Sequence, residues 1–346
     1  MAHNREEFYQ TIGATPDQES MNVFFKDSTI NYDQIEQQNY ICPLSHYGFL
    51  GVTGVDAKKF LQGQLTCNLN DISLEKSLLG AACTHKGRMY SSFRLIQSSD
   101  NQIIMAMHKS IAENTQKTLS KYIVFSKAEL KNLSEQYIAI GISGPDLIDI
   151  LQPHVQQLPT ETGGVTSADD IHVIKINDNN RYEIWLPVEK AINLWQTLSQ
   201  KCQPVSNTLW LLQDIRDGRG DVCAETIELF IPQMLNYDIT EAVNFKKGCY
   251  TGQEIVARMQ YRGKLKRHMY RGKVIHTDRL APASNLYTKG QEQTIGNIVA
   301  AVALNDNLWE ILFVVTDEAI DQNELYLAPT GDNKIQTLPL PYGMSE

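Results

Sequence analysis

The segment "KGCYTGQE", Lys247 to Glu254, concentrates residue types that support thiol chemistry. Thr251 and Glu254 have the spacing of a capping box before the apolar "IVARM", which predicts a helix that begins at about residue 252. Cys249 would then precede a helix N-terminus, whose N–H groups and dipole favour an anion such as a thiolate. We therefore predict that Cys249 is reactive and that Lys247 biases it electrostatically. The alternative is a small cysteine in a tight turn.

A basic segment, residues 246–273, overlaps this motif. It contains nine Lys or Arg residues and one acid, with three tyrosines interleaved, in a chain whose net charge is -9. This local reversal of charge predicts a docking surface for a polyanion, either RNA or a carboxylate-rich small molecule. The alternative is a solvated surface with salt bridges.

The segment "FLQGQLTCN", residues 60–68, ends a short apolar stretch with amide and hydroxyl side chains. These groups can hydrogen-bond a heterocycle. They are Gln62, Gln64, Thr66 and Asn68. A helix C-cap at Gly63 followed by a loop explains the pattern equally well. Tyr47 and Trp210 are either stacking platforms for the same ligand or core aromatics.

Composition excludes several classes of protein. The 346 residues carry a net charge of -9, so no global attraction to nucleic acid or to an anionic membrane is expected. The six cysteines are scattered without a CxxC pair, and the histidines lack ligand spacing, so no metal site is expected. The N-terminus has no apolar signal region, and no apolar run approaches the roughly 20 residues that span a bilayer. We predict a cytoplasmic protein without membrane contact.

Strand and helix patterns do not alternate as strict βαβ units, which favours an α+β fold. Residues 1–40 are polar and predict a loosely attached arm with one strand at "MNVFF". Two apolar runs flank "HKGR" (85–88) and predict a hairpin. Helices are predicted at 110–123, 188–201 and 207–218, and strands without helices at 268–275, 285–288, 294–303, 308–316 and 324–328. The last group predicts a small barrel.

Together the motifs resemble those of the YgfZ proteins, folate-binding relatives of the glycine cleavage T-protein. "KGCYTGQE" is similar to the family signature. Four further segments resemble the family in the same order along the chain: "FLQGQLTCNL" (60–69), "HKGR" (85–88), "ELFIPQMLNYD" (228–238) and "PLPY" (339–342).

The resemblance implies an aminomethyltransferase-like, folate-binding fold of two α+β subdomains followed by a small β-barrel. The implied domains are a polar arm (1–40), a folate-binding region (41–262) and the barrel (263–346). The implied cofactor is tetrahydrofolate or a derivative, and the implied partners are iron–sulfur proteins such as tRNA thiolation enzymes. Cys249 and Lys247 are the expected catalytic residues. The expected cofactor-binding residues are Tyr47, Gln62, Gln64, Thr66, Trp210, Tyr250 and Glu254.

Two departures from the T-protein pattern bear on activity. Ser91 and Ser92 stand where the T-protein carries an acidic pair that includes its catalytic Asp. A hydroxyl cannot replace a carboxylate as base or charge partner at neutral pH. Arg216 stands where the T-protein has a pterin-binding Glu, so Asp214 or Asp217 is the candidate replacement.

The sequence thus favours a tetrahydrofolate-binding protein that supports iron–sulfur enzymes and tRNA thiolation through a reactive Cys249. It leaves open whether the protein turns over a substrate in a folate-dependent one-carbon transfer. Two alternatives are kept. One is a true aminomethyltransferase, which the missing acidic pair disfavours. The other is a non-catalytic RNA-binding scaffold that uses the basic segment.

Overall fold

The computed structural model describes residues 4–17, 20–26, 37–155, 157–261, 263 and 265–343. The chain divides into two units. The first comprises residues 1–61, 69–78 and 94–210, and the second comprises residues 62–68, 79–93 and 211–346. Arg262 and Lys264 of the basic segment lie outside the described residues.

The secondary structure is mixed, as predicted for an α+β fold. The helices are α1 (Arg5–Thr11), α2 (Ala57–Gln62), α3 (Lys109–Leu119), α4 (Leu147–Leu151), α5 (Val188–Leu198), α6 (Asn207–Arg216), α7 (Gln253–Tyr261) and α8 (Asp317–Gln322). The first nine strands are β1 (Ala14–Pro16), β2 (Val23–Phe25), β3 (Tyr40–Pro43), β4 (Tyr47–Thr53), β5 (Leu78–Cys83), β6 (Met89–Ser99), β7 (Gln102–His108), β8 (Glu129–Asn132) and β9 (Tyr137–Ser143). The others are β10 (Val165–Ala168), β11 (Ile171–Asn177), β12 (Arg181–Pro187), β13 (Gln203–Pro204), β14 (Arg267–Ile275), β15 (Asn285–Tyr287), β16 (Thr294–Ala303), β17 (Leu308–Thr316) and β18 (Gln336–Leu338).

The first unit is organised on a six-stranded sheet of order β10-β11-β12-β9-β3-β13. Its strands pair antiparallel except β13 with β3, which pair parallel. Helix α5 contributes Val188, Ala191, Leu194, Trp195 and Leu198 to a buried cluster shared with β9 and β12. Their three- and four-residue spacing is that of one helix face, so the amphipathic pattern that predicted this helix also determines what it buries.

The described part of residues 1–40 is packed into the first unit. Asn4 caps α1 by accepting the Glu7 N–H at 2.9 Å. The ring of Phe8 is fully buried and meets Trp195 edge-on at 6.0 Å, while Phe25 stacks on Trp195 at 5.9 Å. The predicted strand at "MNVFF" is present as β2. A few aromatic anchors therefore bind a segment that its polar composition describes as a loose arm.

A second sheet has the order β5-β6-β7-β4-β8. The long strand β6 is divided between the units: from Arg94 onwards it pairs with β7 in the first. Residues 79–93 of the second unit contain the predicted hairpin. Its turn is closed by the Thr84 N–H to Arg88 carbonyl bond at 2.8 Å and the Gly87 N–H to Thr84 carbonyl bond at 2.8 Å. The positive φ of Gly87, 71°, explains why the turn of "HKGR" contains glycine.

The C-terminal part of the second unit is a sheet of order β15-β16-β17-β14-β18 over a cluster that includes Leu286, Ile298, Ile311 and Phe313. Four predicted strands are present as β14 to β17. The strand predicted at 324–328 was wrong, because Tyr326 forms only isolated bridges with Tyr287 and Lys334. Helix α8 was not predicted either; it has six residues, too few for a clear periodicity.

The predicted barrel is not confirmed. In the part of the chain that the structure describes, β15 and β18 are the edges of the C-terminal sheet and do not pair with each other. The isolated bridges of Tyr326 lead from β15 towards the segment before β18. Closure of this sheet therefore stays a prediction.

Candidate functional site

Lys247 joins two of the sequence motifs within the second unit. Its Nζ donates to the carbonyl oxygens of Gln62 (2.8 Å), Leu65 (2.6 Å) and Cys67 (2.8 Å). An ammonium has three N–H donors, so these carbonyls match its full hydrogen-bonding capacity. The contact brings "KGCYTGQE" against the loop of residues 62–68. Lys247 was expected to act on Cys249, whereas the contacts of its ammonium group are with this loop.

Burial changes the electrostatics of Lys247. Desolvation lowers the pKa of its ammonium group to about 8, and Cys67 acts in the opposite direction. The group is still mainly charged at neutral pH, and Nζ lies 5.1 Å from the centroid of the Tyr250 ring, within cation–π range. Tyr250 itself is buried, and this desolvation raises the pKa of its phenol. Tyr250 is thus a neutral packing partner of the lysine.

The motif also packs on the "HKGR" hairpin through glycine. Gly252 has a φ of 87°, and a Cβ there would lie 2.5 Å from the Thr84 carbonyl oxygen and 3.0 Å from the Cys83 Cβ. Gly87 is similarly close to Ile255 of α7. Only residues without a Cβ permit this approach of the two backbones. Three segments that resemble family motifs therefore meet in one place.

Helix α7 begins at Gln253, close to the predicted position. Thr251 precedes it, and its hydroxyl donates to Gln64 Oε1 at 3.3 Å. Thr251 is therefore a second link between the motif and the 62–68 loop, a role that its predicted function in a capping box did not include. Glu254 lies exposed in the first turn of the helix, where a carboxylate interacts favourably with the helix dipole.

Cys249 is the exposed thiol of the protein. All six cysteines are among the described residues, and the other five are buried. Burial raises the pKa of the Cys83 thiol to about 12 and that of Cys223 to about 11, which makes both unreactive at neutral pH. The neighbouring Gly248 is also exposed, and a Cβ at this position would meet no atom within 4 Å. The turn therefore presents Cys249 to solvent on a backbone that Lys247 and Gly252 hold on either side.

The residues of the 62–68 loop that were predicted to contact the cofactor differ in their burial and in their hydrogen bonds. Gln62 and Gln64 are half-buried; the Gln62 amide donates to Asn68 Oδ1 at 3.0 Å. Thr66 is fully buried, donates to the Ala242 carbonyl at 2.7 Å and accepts the Ala81 N–H at 2.8 Å. Thr66 thus fixes the loop from inside, while the two glutamines lie at its surface.

Tyr47 and Trp210 belong to the core of the first unit. The Tyr47 hydroxyl donates to Glu183 Oε1 at 2.9 Å, and Trp185 donates to the other oxygen of this fully buried carboxylate at 2.9 Å. Trp210 is fully buried, with the Arg181 guanidinium 4.0 Å from its ring centroid. Both aromatic side chains have the environment of core residues.

A carboxylate that the motifs did not indicate lies beside Ser92. Ser92 Oγ donates to Asp221 Oδ1 at 3.0 Å and accepts the Val222 N–H at 2.8 Å. Tyr237 donates to the Gly220 carbonyl at 2.9 Å and its hydroxyl lies 3.3 Å from Asp221 Oδ1; Arg219 Nε lies 3.6 Å from Oδ2. Burial, followed by the charge of Asp221, raises the pKa of Tyr237 well above its usual value, so it stays protonated.

The basic segment is not one free surface. Arg271 Nε lies 2.9 Å and Arg216 Nε 3.4 Å from Oε1 of the fully buried Glu310, and Lys273 Nζ lies 3.9 Å from Oε2. Strand register explains the last contact, because Lys273 pairs directly with Glu310. Arg216, which the resemblance aligns with the pterin-binding Glu of the T-protein, is therefore engaged with Glu310. Lys246, Arg258 and Lys266 remain exposed.

Three polar side chains of the second unit, Gln62, Gln64 and Asp221, have donor and acceptor types that match those at the edge of a folate pterin, which carries neighbouring N–H donors and ring acceptors. Half-buried amides at Gln62 and Gln64 can donate and accept, and the partly exposed Asp221 carboxylate can accept from N–H groups. The fit rests on the chemistry of the side chains of the second unit.

Among the described residues, no helix has the length and apolar character needed to cross a membrane.

Comparison with known proteins first defines the class. The family model for the GCVT N-terminal domain matches residues 4–209. The crystal structure of the glycine cleavage system aminomethyltransferase T from Bartonella henselae superposes with a TM-score of 0.75 over 96% of this chain and 94% of its own, at 13% identity. The chain is a protein with a GCVT-type fold of mixed α and β structure.

Curated relatives define the family more closely. A "tRNA-modifying protein YgfZ" from Hamiltonella defensa is 34% identical over 77% of this chain and 80% of its own length. Proteins of the same name from Colwellia psychrerythraea (32%, covering 67% and 71%) and Yersinia enterocolitica (28%, covering 88% and 92%) are also similar. The chain belongs to the YgfZ family.

Proposed function

We propose that this protein binds tetrahydrofolate and acts in tRNA modification in the cytoplasm, where it supports iron–sulfur enzymes that thiolate tRNA. The name of its curated relatives supports the process. The fold that it shares with an aminomethyltransferase supports a folate as the ligand. In this proposal Cys249 is the reactive group.

The observation that carries the proposal is the set of three hydrogen bonds from Lys247 to the 62–68 loop. They hold a loop with half-buried glutamine amides against the turn that presents the exposed Cys249. A rigid polar loop beside a solvent-accessible thiol suits a site where a ligand is held near a nucleophile. Lys247 is a positioning residue in this arrangement.

Each side chain has a distinct role in the proposal. Gln62 and Gln64 bind the edge of the pterin, and Asp221 supplies the carboxylate that Arg216 cannot. Tetrahydrofolate, when bound, supplies a carrier for a one-carbon unit. Cys249 offers a thiol for exchange or for accepting such a unit. The burial of Tyr47 and Trp210 favours their alternative role as core aromatics over direct contact with folate.

The test is complementation of a bacterial strain that lacks its own YgfZ, with thiomethylated tRNA as the readout. Wild type should restore the modification and Cys249→Ala should not. Gly248→Ala is the matched control, because it alters the same exposed turn where a Cβ meets nothing within 4 Å. Full rescue by Cys249→Ala would exclude a reactive thiol. Tetrahydrofolate binding by purified wild type is measured in parallel, and its absence would exclude the cofactor.

One observation favours testing the aminomethyltransferase alternative as well. Ser92 occupies the strand where the T-protein carries its acidic pair, and the Asp221 carboxylate lies 3.0 Å from its hydroxyl. A carboxylate is therefore present beside this strand, although it comes from Asp221 and not from a residue of the strand itself. A glycine cleavage assay with lipoylated carrier protein and tetrahydrofolate decides between the functions. We expect no turnover, and robust turnover would favour the aminomethyltransferase.

A further inference from the structure

Four large apolar side chains of the first unit are exposed near one turn. Phe125 is 99% exposed, Val124 71%, Val55 69% and Tyr122 50%. The turn that carries Val55 is hydrogen-bonded to the chain after Phe125, since the Asp56 N–H donates to the Lys127 carbonyl at 3.3 Å and the Lys127 N–H donates to Asp56 Oδ2 at 2.8 Å. We call these four side chains the Phe125 patch.

The backbone beneath the Phe125 patch is ordered by hydrogen bonds. Residues Ile123–Phe125 form a 3-10 turn, preceded by the Tyr122 N–H to Leu119 carbonyl bond at 3.0 Å and closed by the Ser126 N–H to Ile123 carbonyl bond at 2.8 Å. Tyr122 and Phe125, three residues apart across this turn, are both exposed aromatic side chains. Apolar surface exposed in this way marks interaction sites.

Several lysines lie around the patch, together with two carboxylates: Asp56 in the turn of Val55, and Glu129, which pairs with Lys131. Lys121 and Lys127 flank the turn, Lys117 lies one helical turn earlier in α3, and all three are exposed. Within the described part of the chain, none of them forms an ion pair with a carboxylate. In a chain of net charge -9 this is a local excess of positive charge. Exposed lysines beside exposed aromatic rings would suit a partner that is anionic and has flat apolar faces.

We propose that the Phe125 patch binds an unpaired segment of RNA, such as a tRNA loop. Unpaired bases stack on aromatic side chains, and phosphates bind lysines, so both features of the patch are used. The choice of tRNA rests on the proposed function. An anionic lipid surface would share the cationic and apolar contacts, but two exposed aromatic rings three residues apart on a hydrogen-bonded turn favour stacking partners.

The test measures binding of a fluorescein-labelled, unmodified tRNA transcript to the full chain by anisotropy over a range of salt concentrations. Phe125→Ala and Tyr122→Ala should each weaken binding about tenfold or more, in line with the loss of base stacking. Lys121→Gln and Lys127→Gln should each reduce the slope of log K against log salt by about 0.7. Ile148→Ala, which removes a 64% exposed side chain elsewhere in the same unit, is the matched control and should change neither.

Other outcomes would overturn the proposal. Unchanged tRNA affinity in both aromatic variants would contradict it. Loss of tRNA binding only in Lys246→Gln, Arg258→Gln and Lys266→Gln would also contradict it, because RNA would then bind the basic segment. If the wild-type protein does not bind tRNA but sediments with vesicles containing phosphatidylglycerol, the patch is a lipid-binding site. Tetrahydrofolate binding is measured on the same variants. Tetrahydrofolate binding should be unchanged in these variants. A protein that binds tetrahydrofolate but not tRNA would therefore contradict this proposal without contradicting the proposed folate binding.

Discussion

Ser92 Oγ donates to Asp221 Oδ1 at 3.0 Å across 129 positions of sequence. Ser92 Oγ also accepts the Val222 N–H, so the serine fixes both the side chain of Asp221 and the backbone next to it. The Asp221 side chain remains 36% exposed. A negative charge is thereby held in one orientation with part of its surface open to a ligand.

Asp221→Asn is expected to weaken tetrahydrofolate binding about tenfold, because a charge-assisted hydrogen bond becomes a neutral one. The amide has the same shape and can still accept from Ser92. Isothermal titration of wild type and variant measures the change, and thermal unfolding checks that the fold is retained. Asp217→Asn is the comparison. A loss of affinity there, with none at Asp221, would assign the pterin contact to Asp217.

Lys247→Met should destabilise the protein by about 3 kcal/mol, because three carbonyls lose a charged donor in a half-buried position. Denaturant unfolding measures this change. Lys246→Met is the matched control: its side chain is exposed, so its effect should stay within about 0.5 kcal/mol. Equal effects of the two substitutions would mean that the three hydrogen bonds do not hold the loop.

Gly252→Ala should cost about 2–4 kcal/mol, the sum of a left-handed backbone conformation and a collision with the Thr84 carbonyl. Gly248→Ala, four residues earlier in the same motif, should be nearly neutral because a Cβ there meets nothing within 4 Å. Thermal and denaturant unfolding of the two variants make the comparison. A neutral Gly252→Ala would show that the motif and the "HKGR" hairpin are not in close backbone contact.

Acid should destabilise the first unit through His172. Its side chain is 2% exposed, and burial lowers its pKa to about 4 from the usual 6.5. Between these two values the unfolded state binds the proton and the folded state does not, so stability falls as the pH falls. His172→Gln should lose less stability than wild type over this interval in urea unfolding. His85→Gln, at an exposed turn, should follow the wild-type curve.

Local patterns were sufficient for most elements near the site. Helix α7 follows from an apolar run with a polar start, and the hairpin around "HKGR" follows from two apolar strands with glycine in the turn. Such signals depend on neighbours in the chain. The strand wrongly predicted at 324–328 is the instructive error, since Leu325 and Leu327 pack in the core cluster of the C-terminal sheet although the segment does not pair regularly. Pairing is a property of the partner strand as well.

The polar composition also misled in the part of residues 1–40 that the structure describes. Polar residues dominate it, yet Phe8 and Phe25 both contact Trp195. A few large aromatic side chains supply enough buried area to fix a short segment. Their target is almost two hundred positions away, so no local average could indicate it.

The sequence by itself determined the family motifs, the mixed class of the fold and the turn around Cys249, because each depends on residue types within a short window. Only the tertiary structure decided what those residues contact. It directed Lys247 to three carbonyls of the 62–68 loop, buried Thr66, Tyr47 and Trp210, and placed Asp221 beside Ser92. The physical reason is that hydrogen bonds and burial depend on distances in space, which a folded chain sets between residues far apart in sequence.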